Sequence, residues 1–443
     1  MISSWSAADV AAAAGGRVVG GDAAAPGPSA ITIDSRAAQP GTLFIGLPGS
    51  QADGGAFAGA ALAAGAWGVI VSEEHAAPLA APGDGWIVIA VADPLRALAD
   101  LAQSWRRQLG CAVIAVTGST GKTSTKDIIA GMLAPSRRVV ATHENFNTEI
   151  GLPLTILGAP TGTEVLVLEM AMRGEGQIAE LTRIAEPDVG VVVNVGPVHL
   201  ELLGTVEAVA RAKAELIAGL GPDAVAVLPA GDRLLEPHVR SEIRTVRFGP
   251  GGELEQLPAT IELPFASAHM RSNALAALAA VRALGVEPNG LIEVELSKLR
   301  GQRLLLEDNV VVINDCYNAN PMSMRAALDD LADSASGRSV AVLGDMRELG
   351  PDQRRFHAEL GAHVRDVGVE VLVTVGEMAR DAGPPFGGEN LYSLEDAAQA
   401  AQQIASIIEP GDTVLIKGSR GVGLEVVAEA LCEELPPAAG GGA

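Results

Sequence analysis

The chain has 443 residues, 48% hydrophobic and 19% charged, which is too long for one compact core and too apolar for a disordered polymer. Lys plus Arg total 31 against 54 Asp plus Glu, a formal net charge of −23, so bulk attraction to nucleic acid or to an anionic membrane is excluded. Any phosphate must be held by local cations, backbone N–H groups or a divalent metal.

The N-terminus, MISSWSAADVAAAAGG, lacks a basic region and places Asp9 where a signal peptide needs apolar residues. Three unclustered cysteines, Cys111, Cys316 and Cys432, fit a reducing compartment without a disulfide framework or a cysteine zinc site. A soluble, cytoplasmic protein is expected. The uncharged stretch Gly54–Ser72 is rich in Ala and Gly and reads as a helix over Phe57–Ala64 and a buried strand over Trp67–Val71 rather than a membrane span. With the apolar runs Leu43–Leu47 and Ile87–Val91 it predicts a small α/β unit, and all four Trp lie in this part of the chain.

An amphipathic helix over Ala97–Leu109 leads into a buried strand, Ala112–Val116. Short β-branched runs at Val139–Ala141, Val165–Glu169, Val189–Asn194 and Val225–Leu228 alternate with helical stretches, the pattern of a doubly wound parallel sheet. A break near Leu296–Arg303 precedes a second alternation at Val310–Asn314, Ser339–Leu343, Val369–Val375 and Thr413–Lys417. The tail PPAAGGGA is expected to be disordered. Three α/β domains follow, at 1–108, 109–299 and 300–443.

The strand AVIAV runs into TGSTGKTSTKD (Thr117–Asp127). Gly118 and Gly121 allow the tight turn that aims successive N–H groups of Gly118, Ser119, Thr120, Gly121, Lys122, Thr123 and Ser124 at one anion, at the positive end of the next helix. Lys122 is placed to reach β- and γ-phosphates, and Thr123 to offer its hydroxyl to Mg²⁺. Only five lysines exist, at 122, 126, 213, 298 and 417, so one at this position is not incidental. Val116 stands where the general P-loop has its first Gly, and no N-K-x-D motif occurs, which favours adenine over guanine nucleotide.

Glu169 ends a buried strand beside this loop, where Mg²⁺ needs a hard oxygen. His199 follows the strand that begins at Val189. Lys213 falls on the apolar face of a helix, Val209–Leu220. Two readings stand for it: a side chain that snorkels to water, or a neutral amine that captures CO₂ and becomes a metal-binding carbamate. Asn318 and Asn320 read equally as a turn before Pro321, Asp345 and Glu348 as solvated charges at a helix start, and His357 as structural rather than catalytic.

Together TGSTGKTSTKD, NFNTEIGLPLTIL, VLEMAMRGEGQI, VNVGPVHLELLG, SNALAALAA, NDCYNANPMSMRAAL, VLGDMRELG and VLIKGSRG resemble the Mur ligase family of peptidoglycan precursor synthesis over nearly the whole chain. YNANPMSM, LGDMRELG and KGSRG most resemble its branch that adds D-alanyl-D-alanine to UDP-N-acetylmuramoyl-tripeptide. The resemblance implies an N-terminal domain for the UDP end, a central ATPase domain and a Rossmann-like C-terminal domain for the amino substrate. It implies that Ser35 and Arg36 contact the uridine diphosphate, that Asn147 and Thr148 contact substrate, and that Glu169, His199 and a carbamylated Lys213 hold magnesium, with two ions in all. It implies ATP contacts at Asn273, Arg303, Asp315, Tyr317 and Asn320, and contacts of Lys417, Ser419 and Arg420 with the dipeptide carboxylate. Lys122, His199 and Lys213 are then the catalytic groups. With no coiled coil or long exposed apolar helix to suggest assembly a monomer is expected, and the net charge predicts binding to neither nucleic acid nor membrane. Departures from the family pattern are Thr148 for a common Asn, Ala171 for a Gly, Pro229 for an Asn and Ser272 for a bulkier residue. Within the family the rivals are the ligase that adds the third residue and a folylpolyglutamate-type synthase, and the absence of D-N-P-R disfavours the diaminopimelate-adding enzyme. Outside it, the rival is a regulatory P-loop ATPase.

Overall fold

The computed structural model describes residues 2–80 and 85–438, arranged as three α/β domains. In the first, strands β1 (Arg17–Gly20), β2 (Ala30–Thr32), β3 (Thr42–Ile45), β4 (Gly68–Ser72) and β5 (Ile87–Val91) form a sheet of order β1-β5-β4-β3-β2. Only β1 runs antiparallel to its neighbour.

The second sheet is wholly parallel. Its strands β6 (Ala112–Thr117), β7 (Val139–Ala141), β8 (Val165–Glu169), β9 (Val189–Val192), β10 (Val225–Pro229) and β11 (Arg244–Phe248) take the order β11-β10-β9-β6-β8-β7. A two-stranded ribbon, β12 (Ile261–Glu262) with β13 (Gly290–Leu291), flanks the helix Ala268–Ala283. The third sheet has β14 (Gln302–Leu305), β15 (Val311–Asn314), β16 (Ser339–Gly344), β17 (Val371–Val375), β18 (Leu391–Leu394) and β19 (Thr413–Lys417) in the order β14-β15-β19-β16-β17-β18. Here too one edge strand, β14, is antiparallel.

Buried β-branched runs become strands because each crossover helix covers a sheet face, which requires both faces of the strand to be apolar. Every residue of β5, β8, β17 and β19 is buried. The amphipathic helix begins earlier than its apolar pattern suggests, at Pro94, since Asp93 caps it by accepting Leu95 N–H at 2.9 Å and Arg96 N–H at 3.2 Å. It closes at Gly110, whose φ of +60° supplies the left-handed cap. The tail is partly ordered: Pro437 bridges to Leu306, and Ala438 N–H donates to Leu305 O at 3.0 Å, while 439–443 lie outside the described residues. No described helix is long and apolar enough to cross a membrane.

Two interior packings decide how the domains are tied. The first and second share one apolar core, in which Leu43, Ile45 and Ile70 of the first domain join Leu152, Leu166 and Leu168 of the second domain through the helix Pro94–Leu109. The third keeps its apolar clusters to itself. His357 belongs to its packing and is structural: Nε2 accepts Met346 N–H at 2.9 Å and Nδ1 donates to Gln353 O at 2.7 Å, so the ring is neutral and burial lowers its pKa.

Trp105 is the centre of the shared core. It is fully buried, donates from Nε1 to Ala159 O at 3.0 Å, and meets Trp5 edge-to-face with centroids 5.7 Å apart. Trp105→Ala removes that contact and leaves a carbonyl unpaired, so a loss of about 3–5 kcal/mol is expected in chemical denaturation. A loss under about 1 kcal/mol would mean that the two domains do not depend on this side chain.

Candidate functional site

The register of the second sheet assembles the site. Val116 lies opposite Glu169, and Thr117 opposite Val192, so the phosphate loop, the end of β8 and the end of β9 meet at one carboxyl edge. After Thr117 the chain turns into the helix Lys122–Leu133 through Gly121, whose φ is +76°. A Cβ there would fall 2.5 Å from Oδ1 of the buried Asn273, so both backbone angle and close packing require glycine.

Asn194, two residues past the end of β9, clamps the loop, a role the sequence reading missed. Its Oδ1 accepts Thr120 N–H at 3.0 Å and its Nδ2 donates to Thr120 O at 3.2 Å. Ser119 Oγ donates to Gly196 O at 3.1 Å and accepts Gly196 N–H at 2.9 Å. Lys122 folds back with Nζ 3.0 Å from Gly118 O. Burial draws its amine toward the neutral form, Glu169 opposes that, and Arg300 adds like-charge repulsion. A bound polyphosphate is the anion that lets such an amine keep its proton.

Glu169 is 1% exposed, yet both oxygens are satisfied: Oε2 accepts Thr123 Oγ1–H at 2.7 Å and Oε1 accepts Asn147 Nδ2–H at 2.8 Å. Its own N–H donates to Thr142 Oγ1 at 3.0 Å. A threonine hydroxyl and a carboxylate beside a phosphate loop are the hard donors that Mg²⁺ takes in sites completed by substrate phosphates. Among the described residues no cluster of three His, Cys, Asp or Glu forms a self-sufficient metal cage. Thr123 and Glu169 therefore fit a nucleotide-borne ion.

His199 sits at φ +53°, a left-handed angle unusual for a side chain with a Cβ, just before the short helix Leu200–Leu203. Its Nδ1 pairs with Glu348 Oε2 of the third domain at 2.5 Å, and Glu348 O accepts Glu201 N–H at 3.2 Å. Glu348 is thus an interdomain partner and not the solvated charge expected of it. Asp345 is not free either, since Oδ1 accepts Met378 N–H at 3.0 Å and Ala379 N–H at 2.8 Å. Burial lowers the His199 pKa, Glu348 raises it, and the charges of Lys122 and Lys213 lower it, which brings all three candidate catalytic groups into one electrostatic neighbourhood.

Lys213 lies in the helix Val206–Ala218, 3% exposed, with neither hydrogen bond nor carboxylate partner among the described residues. It has not snorkelled to water. Burial, with Lys122 second, holds its pKa well below the usual 10.5. A protonated amine has no lone pair for a cation, whereas the neutral amine that burial favours could take up CO₂ as a carbamate, whose oxygens are donors of the kind Mg²⁺ takes.

A cleft of about 3100 Å³ joins the phosphate loop to the third domain, several times the size of a common small-ligand pocket. Asn147, Thr148, Glu169, His199 and Asn273 line it from one side, and Arg303, Asp315, Tyr317, Asn320, Lys417 and Arg420 from the other. Lys213 and Ser419 are not among its lining residues. Ser35 and Arg36 lie away from it on the first domain, where Arg36 forks onto Asp34 and holds that carboxyl down at about 2.

On the far wall the polar groups hold one another. Lys417 Nζ donates to Asp315 Oδ2 at 2.6 Å and to Asn318 O at 2.9 Å. Arg303 donates to Asp330 at 2.9 Å and to Ser334 at 2.8 Å. Asn320 and Ser323 form a reciprocal cap on the helix Pro321–Ser334, as a turn residue before Pro321 would. Ser419 Oγ accepts Arg347 N–H at 2.9 Å, and Arg420 pairs with Glu425 at 3.1 Å.

Three family models match in order: Mur ligase family, catalytic domain over residues 29–106, Mur ligase middle domain over 116–281, and Mur ligase, glutamate ligase domain over 300–420. The chain is 36% identical to the UDP-N-acetylmuramoyl-tripeptide–D-alanyl-D-alanine ligase of Synechocystis sp., covering 92% of each chain. It is 34% identical to the protein of that name from Bacillus subtilis, over 91% of this chain and 93% of the other. Its structure is similar to crystal structures of MurF from Acinetobacter baumannii (TM-score 0.85, 30% identity, 97% and 99% of the chains) and of MurF ligase from Thermotoga maritima in complex with ADP (TM-score 0.81, 30% identity, 91% and 97%).

The buried amine of Lys213 costs the fold stability. Its folded pKa is depressed, so its contribution is fully present only above the unfolded value and is lost as pH falls through the folded one. In CO₂-depleted buffer at pH 7, Lys213→Met is expected to melt above the parent, with the gap narrowing as pH rises toward 10.5. An equal or lower melting temperature would mean the amine has a partner in solution.

Proposed function

The chain belongs to the Mur ligase family, and from that premise we propose that it joins D-alanyl-D-alanine to UDP-N-acetylmuramoyl-tripeptide with hydrolysis of ATP to ADP and phosphate. The reading is carried by one observation: Lys122, Thr123 and Glu169 converge on a cleft whose opposite wall is the third domain.

Amide formation from a carboxylate in water is uphill, because the anion repels an amine and its oxide leaves poorly. A carboxylate oxygen of the tripeptide attacks the γ-phosphorus of ATP, the bond to the β-phosphate oxygen breaks, and ADP departs, leaving an acyl phosphate. The amine of D-alanyl-D-alanine then attacks the carbonyl carbon. The C–O bond to phosphate breaks, and the nitrogen loses its proton.

The first step brings two anions together, so positive charge is the main requirement. Lys122 supplies it at the β- and γ-phosphates, and the N–H groups from Gly118 to Ser124 cradle them. Two Mg²⁺ ions, when bound at Thr123–Glu169 and at His199 with a carbamylated Lys213, would neutralise further phosphate and carboxylate charge. Asn273 packs on the loop, while Arg303, Asp315, Tyr317 and Asn320 complete the nucleotide site from the third domain. Asn147 and Thr148 orient the peptide, Ser35 and Arg36 take the uridine diphosphate, and Lys417, Ser419 and Arg420 face the dipeptide carboxylate, with Lys417 working through its pair with Asp315. We place the domain boundaries at 1–108, 109–299 and 300–443. The protein acts as a cytoplasmic monomer, which light scattering and cell fractionation check.

Phosphate release measured with UDP-N-acetylmuramoyl-tripeptide and D-alanyl-D-alanine, against single amino acids, tests the reaction. Release only when both substrates are present is expected, and release without the acceptor would make the chain a plain ATPase. Lys122→Ala is expected to lower kcat by at least ~10²–10³ with an unchanged melting curve, and a normal kcat would end the mechanism.

Lys213→Ala tests the carbamate. Its lost activity is expected to return in part with a short-chain carboxylate that occupies the vacated position. Full activity with no added acid would remove the carbamate from the mechanism.

A further inference from the structure

Two residues that carry a Cβ meet across the boundary between the second and third domains, and both take left-handed angles: His199 at φ +53° and Glu348 at φ +62°. Such angles persist in residues other than glycine only where the surroundings impose them. On the central side His199 O accepts Leu202 N–H at 3.1 Å and Leu203 N–H at 3.0 Å, which fixes its backbone at the start of the helix Leu200–Leu203. On the other side the loop after β16 is pinned around Glu348. Met346 and Leu349 are buried in the apolar packing of the third domain, and Arg347 N–H is held by Ser419 Oγ. The Glu348 carboxylate is what this fixed loop presents to its neighbour.

Glu348 O accepts Glu201 N–H at 3.2 Å, which sets the register of the two loops, and Oε2 accepts from Nδ1 of His199 at 2.5 Å. A neutral imidazole has one N–H and one lone pair. With a carboxylate receiving the proton at Nδ1, the lone pair is at Nε2, which makes no hydrogen bond among the described residues. His199 lines the cleft together with Lys122 and Glu169. A carboxylate behind a histidine fixes the tautomer and the ring orientation, and makes the other nitrogen a better donor to a cation. The only other charge near Glu348 among the described residues is Arg173, 3.7 Å from Oε1 and 73% exposed, too distant and too solvated to neutralise it. The carboxylate therefore acts chiefly on the imidazole.

We propose that Glu348 is a positioning residue for the reaction: by holding the Nδ1 proton of His199 it fixes the ring and leaves the Nε2 lone pair for the second divalent cation. This rests on the reading that His199 and a carbamylated Lys213 hold that ion. It makes a cation site of the central domain depend on the docking of the third, so the ion is held tightly only when the domain that brings the amine is in place.

Mn²⁺ in place of Mg²⁺ tests it, with bound ions counted by electron paramagnetic resonance on the full chain in the presence of bicarbonate, a non-hydrolysable ATP analogue and UDP-N-acetylmuramoyl-tripeptide. The parent is compared with Glu348→Ala, Glu348→Gln and His199→Ala. Two bound ions are expected in the parent. Glu348→Ala is expected to weaken the second roughly 10- to 100-fold and to leave the first ion and the melting curve unchanged. Glutamine keeps an oxygen that accepts the Nδ1 proton, so Glu348→Gln is expected to fall between alanine and the parent. Parent-like affinity for both ions in Glu348→Ala, with the second lost in His199→Ala, overturns the role of Glu348 and leaves the reading of His199 intact. Both ions retained in His199→Ala overturns that reading itself, and the role of Glu348 with it. Equal weakening of both ions in Glu348→Ala, with no recovery in Glu348→Gln, would make the residue a domain contact and nothing more, and likewise overturn the proposal.

Discussion

Everything at the cleft depends on keeping Glu169 buried and usable. A carboxylate removed from water is costly unless its oxygens are hydrogen-bonded. Thr123 and Asn147 supply those bonds, one to each oxygen, and Thr142 fixes the backbone behind it. Thr123 belongs to the phosphate loop and Asn147 to the segment before the helix Gly151–Gly158, so one carboxylate sets the spacing between two walls of the site. Both partners are neutral, and among the described residues no cation within salt-bridge distance cancels the charge. It stays available for whatever positive group arrives with the nucleotide.

The opposite wall follows a different rule. There the ionic groups pair with each other, as in Lys417 with Asp315 and Arg303 with Asp330. Ion pairs of this kind add little net stability, but they fix side-chain directions. The central domain thus keeps charge in reserve while the third keeps it in order, and His199 with Glu348 is where the two arrangements touch.

How much of this was legible in the letters follows from where each residue lies. Interior strands were readable because burial on both faces forces a continuous apolar run, as in Ile87–Val91 and Val165–Glu169. The strands the pattern missed, β1, β2, β11, β12, β13, β14 and β18, are all sheet edges with partly exposed faces, so their sequences carry no such run. The phosphate loop and Glu169 were readable because local backbone geometry and strand position dictate them. Asn194, Thr142 and Glu348 were not, since each acquires its role from a partner more than 15 positions away that only the folded register brings near. Lys213 divides the two cases: its helical face was legible, and the lack of a partner among the described residues was not.

The way the apolar interior is divided has a consequence for dissecting the molecule. Because Leu43, Ile45 and Ile70 share packing with Leu152 and Leu166, severing the chain after the helix Pro94–Leu109 would strip an oily face from both pieces. Severing it near residue 300 would leave both halves with intact interiors, since the clusters around Val312 and Leu343 are self-contained. In folding terms the molecule is a pair, not a trio: one large cooperative body and one smaller one, whose parting would leave Lys122, His199 and Lys213 on the larger piece and carry off the opposite wall of the cleft with the smaller.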